Sequence, residues 1–183
     1  PHRPTRDLDL LGYGIQDIAR VEEIFVEICQ FPEMTDGLNF ETVSVHAELI
    51  RAERKYGGVR VRLLALLGKA RIPLQVDVGY GDLVIPPPSE AAYPTLLNDM
   101  PAPWIRVYAR ETVVAEKYEA VVTLGMANTR MKDFYDLWFL ATHATFDGMV
   151  LSQSIKATFT GRNTPLPITV PLALTSSFGS DNV

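Results

Sequence analysis

Apolar residues recur at helical spacing between Asp17 and Cys29, at Ile18, Val21, Ile24, Phe25 and Ile28, and Asp17 stands where an N-cap belongs. The period then changes. Phe40 to Arg54, Val59 to Leu67 and Ile72 to Val78 read as successive strands, with a turn signal at Asp36-Gly37 ahead of the first. Tyr56-Gly57-Gly58-Val59 is suited to join the first strand to the second, and Gly68-Lys69-Ala70-Arg71 the second to the third. Pro86-Pro87-Pro88-Ser89 stops regular structure and marks an expected boundary between a sheet domain, 1–88, and a mainly helical portion, 89–183. Beyond it, Arg110 to Leu124 and Asn128 to Ala141 read as helices joined at Gly125-Met126-Ala127, with Asn128 as cap. From Thr160 onward, with Pro165, Pro167 and Pro171, periodicity fades and an irregular tail is expected. Strands first and helices second make an α+β chain.

Ahead of the first helix, Thr5-Arg6-Asp7-Leu8-Asp9-Leu10-Leu11 reads as extended. In a strand, residues two apart share a face, so Asp7 and Asp9 point one way and Leu8 and Leu10 the other. Carboxylates so placed can converge on a hard cation such as Mg²⁺, although a D-x-D pair alone also marks many solvated edge strands and turns. A third acid, Asp77, alternates with Val76 and Val78 in Ile72-Pro73-Leu74-Gln75-Val76-Asp77-Val78. Alone it reads equally well as a structural acid at a strand end. With Asp7 and Asp9 on neighbouring strands, it completes a set able to hold divalent cations.

Lys117 lies in the 110–124 helix with Val113, Val114, Ala120 and Val121 three and four positions away. It has no intrahelical acid there, so its partner must come from elsewhere. In the next helix Lys132 and Asp136 are four apart, the spacing of an ordinary surface pair.

Composition narrows the function classes. A 47% apolar, 21% charged chain of 183 residues can bury a core without staples, and no apolar run is long enough to span a bilayer. Cys29 is the sole cysteine, which excludes an intrachain disulfide and a cysteine-based zinc site and suits a reducing cytoplasm. A formal charge of −5 argues against coating nucleic acid by bulk electrostatics. The basic residues from Arg51 to Arg71 alternate with apolar ones and read as a solvated sheet face.

Five segments in order resemble the AbiEii/AbiGii-type nucleotidyltransferase toxins, a branch of the polymerase-β-like nucleotidyltransferase superfamily. They are R-P-T-R-D-L-D-L from Arg3, Y-G-G-V-R from Tyr56, Q-V-D-V-G-Y-G-D from Gln75, E-T-V-V-A-E-K from Glu111, and N-T-R-M-K-D-F-Y-D-L from Asn128. The resemblance implies a nucleotidyltransferase-like mixed or antiparallel sheet with flanking helices, followed by a helical portion. It implies Mg²⁺-dependent transfer of a nucleoside monophosphate from an NTP to an acceptor hydroxyl, with RNA, tRNA in particular, as acceptor. The setting it implies is an abortive-infection or toxin-antitoxin system in the cytoplasm, with a separately encoded antitoxin. Asp7 and Asp9 would be metal ligands, and Asp77 a further ligand or the group that receives the acceptor proton. Lys117, Arg130 and Lys132 would contact the nucleotide, and Asp133 and Asp136 would be the acids of the family's helical K-D-x-x-D motif. The family's glycine and serine phosphate-gripping element precedes its D-x-D pair, and here neither residue type precedes Asp7, so a fragment shortened at the N-terminus and toward Val183 is expected. Two other readings share the fold: a non-catalytic binding module, and a nucleotidyltransferase acting on a small molecule such as an antibiotic.

Overall fold

The structure, a computed structural model, describes residues 7–31, 37–50, 57–95 and 99–181. The chain divides into two compact units, Pro1–Asp82 and Leu83–Val183. Architecture is α+β: a four-stranded mixed sheet with a flanking helix, then a helical C-terminal part.

The first unit contains β1 (Leu8–Gly12), α1 (Ile18–Cys29), β2 (Leu38–Ile50), β3 (Gly58–Leu67) and β4 (Ala70–Tyr80). Strand order is β1-β4-β3-β2, with β1 parallel to β4 and the remaining pairs antiparallel. Period-two alternation sends Val59, Val61, Leu63, Val76 and Val78 to one face, where Val21 of α1 and Val45 and Ala47 of β2 complete the core. Asp17 caps α1 by accepting from Arg20 N at 3.2 Å. One turn into the helix, Glu22 accepts from Ala47 N at 2.7 Å, which ties α1 to the edge strand β2.

The β3–β4 hairpin has a two-residue loop. Leu67 pairs with Ala70, and Gly68 adopts φ 58°, the left-handed geometry that a primed turn demands at its first position and that glycine takes without penalty. The expected turn at 56–59 is only partly described: Tyr56 lies outside the described residues, and Gly58 and Val59 already belong to β3. Arg3 to Arg6, Asp36 and the expected strand end at 51–54 also lie outside them.

The second unit opens with the short hairpin β5 (Ser89–Ala92) and β6 (Trp104–Val107), followed by α2 (Arg110–Leu124), α3 (Met131–His143), α4 (Gly148–Gly161) and α5 (Ser176–Asp181). The 86–88 prolines lie just inside this unit. α2 packs against α3 and α4. Phe159 of α4 is fully buried with its ring 5.5 Å from that of Tyr118, and Phe134 of α3 stacks on Phe178 of α5 at 5.1 Å. Thr112 of α2 and Ser154 of α4 both donate to Ile85 O, so two helices are pinned to one carbonyl near the start of the unit. No helix among the described residues is long and apolar enough to cross a membrane.

Hydrophobic periodicity gives no expectation for α4. Its buried positions include Ser154 and Thr158, so the stripe that packs inward is partly polar and the apolar signal is diluted. Its start is fixed by Asp147, which accepts from Met149 N at 2.8 Å and Val150 N at 3.1 Å.

Candidate metal and nucleotide-contacting residues

The sheet face opposite α1 carries the charged residues. Asp9 is the register partner of Asp77 across β1–β4, Asp77 of Arg60 across β3–β4, and Arg60 of Glu48 across β2–β3. One row of charged residues, Asp9, Asp77, Arg60 and Glu48, thus runs over all four strands. Asp7 lies two residues before Asp9, and one carboxylate oxygen from each of Asp7, Asp9 and Asp77 can be chosen so that all lie within 4.8 Å of one another. Opposed ligands of one Mg²⁺ stand about 4.2 Å apart, so small side-chain rotations, chiefly of the exposed Asp9, bring the set into range. Three hard anionic oxygens match the preference of Mg²⁺ for oxygen over nitrogen or sulfur donors. The donor set therefore fits such an ion.

Asp77 has a second neighbour. Arg60 Nε donates to its Oδ1 at 2.8 Å and Arg60 Nη2 to its Oδ2 at 2.6 Å, a bidentate pair whose side chains are 30% and 16% exposed. The hydrogen bonds it donates to Asp77 raise the Arg60 guanidinium above its usual pKa. Gln75, on the same face of β4, stands beside the same two nitrogens. In the amide orientation that satisfies its surroundings, its oxygen accepts from Nε at 3.2 Å and Nη2 at 3.3 Å. Alternation places Arg60 on a solvated face, and the structure engages it with an acid instead. The adjacent Arg62 is paired with Glu48.

In the second unit Lys117 finds the partner that α2 denies it. Its Nζ lies 2.9 Å from Asp133 Oδ1 and 2.8 Å from Asp136 Oδ2, both on α3. Asp133 has no solvent exposure, and its Oδ2 is 2.8 Å from Arg130 Nε, an ion-pair contact outside hydrogen-bond geometry. A buried carboxylate between two cations, in the first turn of a helix, is stabilised by charge and by the helix dipole. Asn128 precedes the helix rather than beginning it: its Oδ1 accepts from Arg130 N at 2.9 Å, while its buried Nδ2 has no partner among the described residues. Lys132 is exposed and lies outside this cluster, and Asp136 pairs with Lys117. The structure thus groups Asp7, Asp9 and Asp77 in one unit, and Lys117, Arg130, Asp133 and Asp136 in the other.

A further acid, Glu119 of α2, is buried and held by Thr123 Oγ1 at 2.6 Å, Thr164 Oγ1 at 2.7 Å and Arg162 Nη1 at 3.0 Å. Burial disfavours its charge, but the hydrogen bonds from the two threonines and Arg162 outweigh that and leave its pKa below the usual value. Nothing in the 110–124 periodicity singles out Glu119; two of its three partners, Arg162 and Thr164, lie 43 and 45 residues away in a segment without regular pattern.

The family model described as "Nucleotidyl transferase AbiEii toxin, Type IV TA system" matches residues 1–182. No curated protein matches the chain, and no solved structure does. The family match spans both units and both groups of charged residues, and the chain belongs to the AbiEii nucleotidyl transferase toxin family of type IV toxin-antitoxin systems.

Proposed function

We propose that the chain transfers a nucleoside monophosphate from an NTP to a hydroxyl of RNA, with tRNA as the acceptor class, in a Mg²⁺-dependent reaction in the cytoplasm. The observation that carries this reading is the convergence of Asp7, Asp9 and Asp77 on one sheet face within a chain of nucleotidyltransferase family. Asp7, Asp9 and Asp77 hold the cation, which when bound supplies Lewis acidity at the triphosphate. The acceptor oxygen forms a bond to the α-phosphorus, the bond from that phosphorus to pyrophosphate breaks, and the hydroxyl proton passes to solvent or a carboxylate. Asp77, oriented through both oxygens by Arg60, is suited to ligation.

Lys117 contributes fixed positive charge to the nucleotide phosphates. Asp133 and Asp136 orient its ammonium, and Arg130 and Lys132 add cations at the start of the same helix. Toxicity is relieved by the separately encoded antitoxin. Incubation of the protein with each labelled NTP, Mg²⁺ and total RNA tests the reaction. Label in an RNase-sensitive fraction is expected, label confined to small molecules would redirect the acceptor, and no transfer with any nucleotide would overturn the reading.

A further inference from the structure

Arg60 bonds directly to one member of the carboxylate triad, Asp77. Its bidentate grip uses both oxygens of Asp77, one of which a divalent cation at the triad would take. A guanidinium and a divalent cation on one carboxylate repel each other, and full occupancy by both is disfavoured. The sheet supplies a place for the displaced bond. Gln75 lies two residues before Asp77 on the same face of β4, and in the amide orientation that satisfies its surroundings its oxygen is 3.2 and 3.3 Å from the two guanidinium nitrogens that bind Asp77.

We infer that Arg60 is a positioning residue that serves as the resident counter-ion of the triad, holding Asp77 in the cation-free protein and passing one of its bonds to Gln75 when a divalent cation takes up an Asp77 oxygen. The inference rests on the reading of Asp7, Asp9 and Asp77 as cation ligands. In the cation-free state the guanidinium offsets part of the repulsion among three carboxylates and fixes the plane of the Asp77 group. During exchange the bond to Gln75 keeps the partly buried guanidinium satisfied, so its displacement does not leave an orphaned charge. Arg62, one alternation away and paired with Glu48, belongs to the same face without touching Asp77 and serves as the control.

Mn²⁺ binding to the full chain, followed by electron paramagnetic resonance with circular dichroism as the check on folding, separates the outcomes. Arg60→Gln removes the competitor and is expected to bind Mn²⁺ about tenfold more tightly than the wild type. Gln75→Leu removes the receiving acceptor and is expected to bind several-fold more weakly, while Arg62→Gln stays within about twofold. Folded Arg60→Gln with equal or weaker affinity overturns the inference and leaves the metal site standing. Absence of Mn²⁺ binding in both wild type and Arg60→Gln overturns the metal site together with it. Should Arg60→Gln fail to fold, Gln75→Leu decides: unchanged affinity overturns the inference, and weakened affinity in a folded protein sustains it.

Discussion

Asp9 and Asp77 are direct register partners across the parallel β1–β4 pair, two like charges side by side on one sheet face. Cross-strand like charges destabilise a sheet, and a divalent cation converts that repulsion into attraction. Mg²⁺ or Mn²⁺ is therefore expected to raise the thermal midpoint, by a free energy of about 2.7 kcal/mol when the ion is at a hundred times its Kd. Chelation should reverse the shift, and Asp9→Asn should abolish it. A midpoint indifferent to both ions in differential scanning fluorimetry would count against the site.

Asp9→Ala should separate chemistry from stability. The residue is exposed, so its removal is expected to change unfolding free energy by no more than about 0.5 kcal/mol. Transfer of labelled nucleotide should fall by about a hundredfold or more. Matched urea denaturation and transfer assays read both quantities on the same preparation.

Lys117→Ala behaves differently, because the lysine is structural as well as a candidate phosphate contact. It leaves the unexposed Asp133 with only the angled contact to Arg130. A loss of about 3 kcal/mol of stability is expected, with Lys117→Arg recovering part of it. Urea unfolding measures this directly, and a change under about 0.5 kcal/mol would show that Asp133 does not depend on the ammonium.

The grouping of three acids in the candidate site was legible because strand period is two: Asp7 and Asp9 flank Leu8, and Asp77 alternates with Val76 and Val78. The Arg60–Asp77 pair was not, because it depends on the loop length. A four-residue connection at 68–71 would have paired Leu67 with Ile72 and set Arg62 opposite Asp77. The two-residue turn at Gly68-Lys69 pairs Leu67 with Ala70 and brings Arg60 there instead. The 110–124 helix was legible to its ends, since Gly125 closes it with a positive φ. Lys117's partners were not, because contacts between helices are set by packing rather than by spacing within one helix. The expected cap, Asn128, stands two residues before the observed one, Arg130: its side chain bonds the Arg130 N–H and closes a turn before α3 begins.

Glu119 supplies a pH dependence. Its folded pKa lies below the ordinary value of 4.5, so its contribution to stability is fully present above that value and disappears as the pH falls through the folded pKa. Glu119→Gln is expected to cost about 2 kcal/mol at neutral pH, since it leaves Arg162 and two threonines with a weaker acceptor. The variant should also lose part of the acid sensitivity that the wild type shows as the pH falls below the ordinary value of 4.5, measured as the denaturation midpoint against pH.

β1 has five residues, pairs with β4 at the margin of the sheet, and leaves Leu8 and Leu10 54% and 42% exposed. Short marginal strands with little apolar burial open before the core they border. Asp9 lies on that strand and Asp7 directly before it, so the placement of the pair depends on local opening rather than on global unfolding. Mild heat or low urea should consequently remove cation binding and activity while the far-ultraviolet spectrum is still that of the native protein, and a bound cation should close the strand again. Function in this fold would then switch off at its hem, with the valine core intact beneath it.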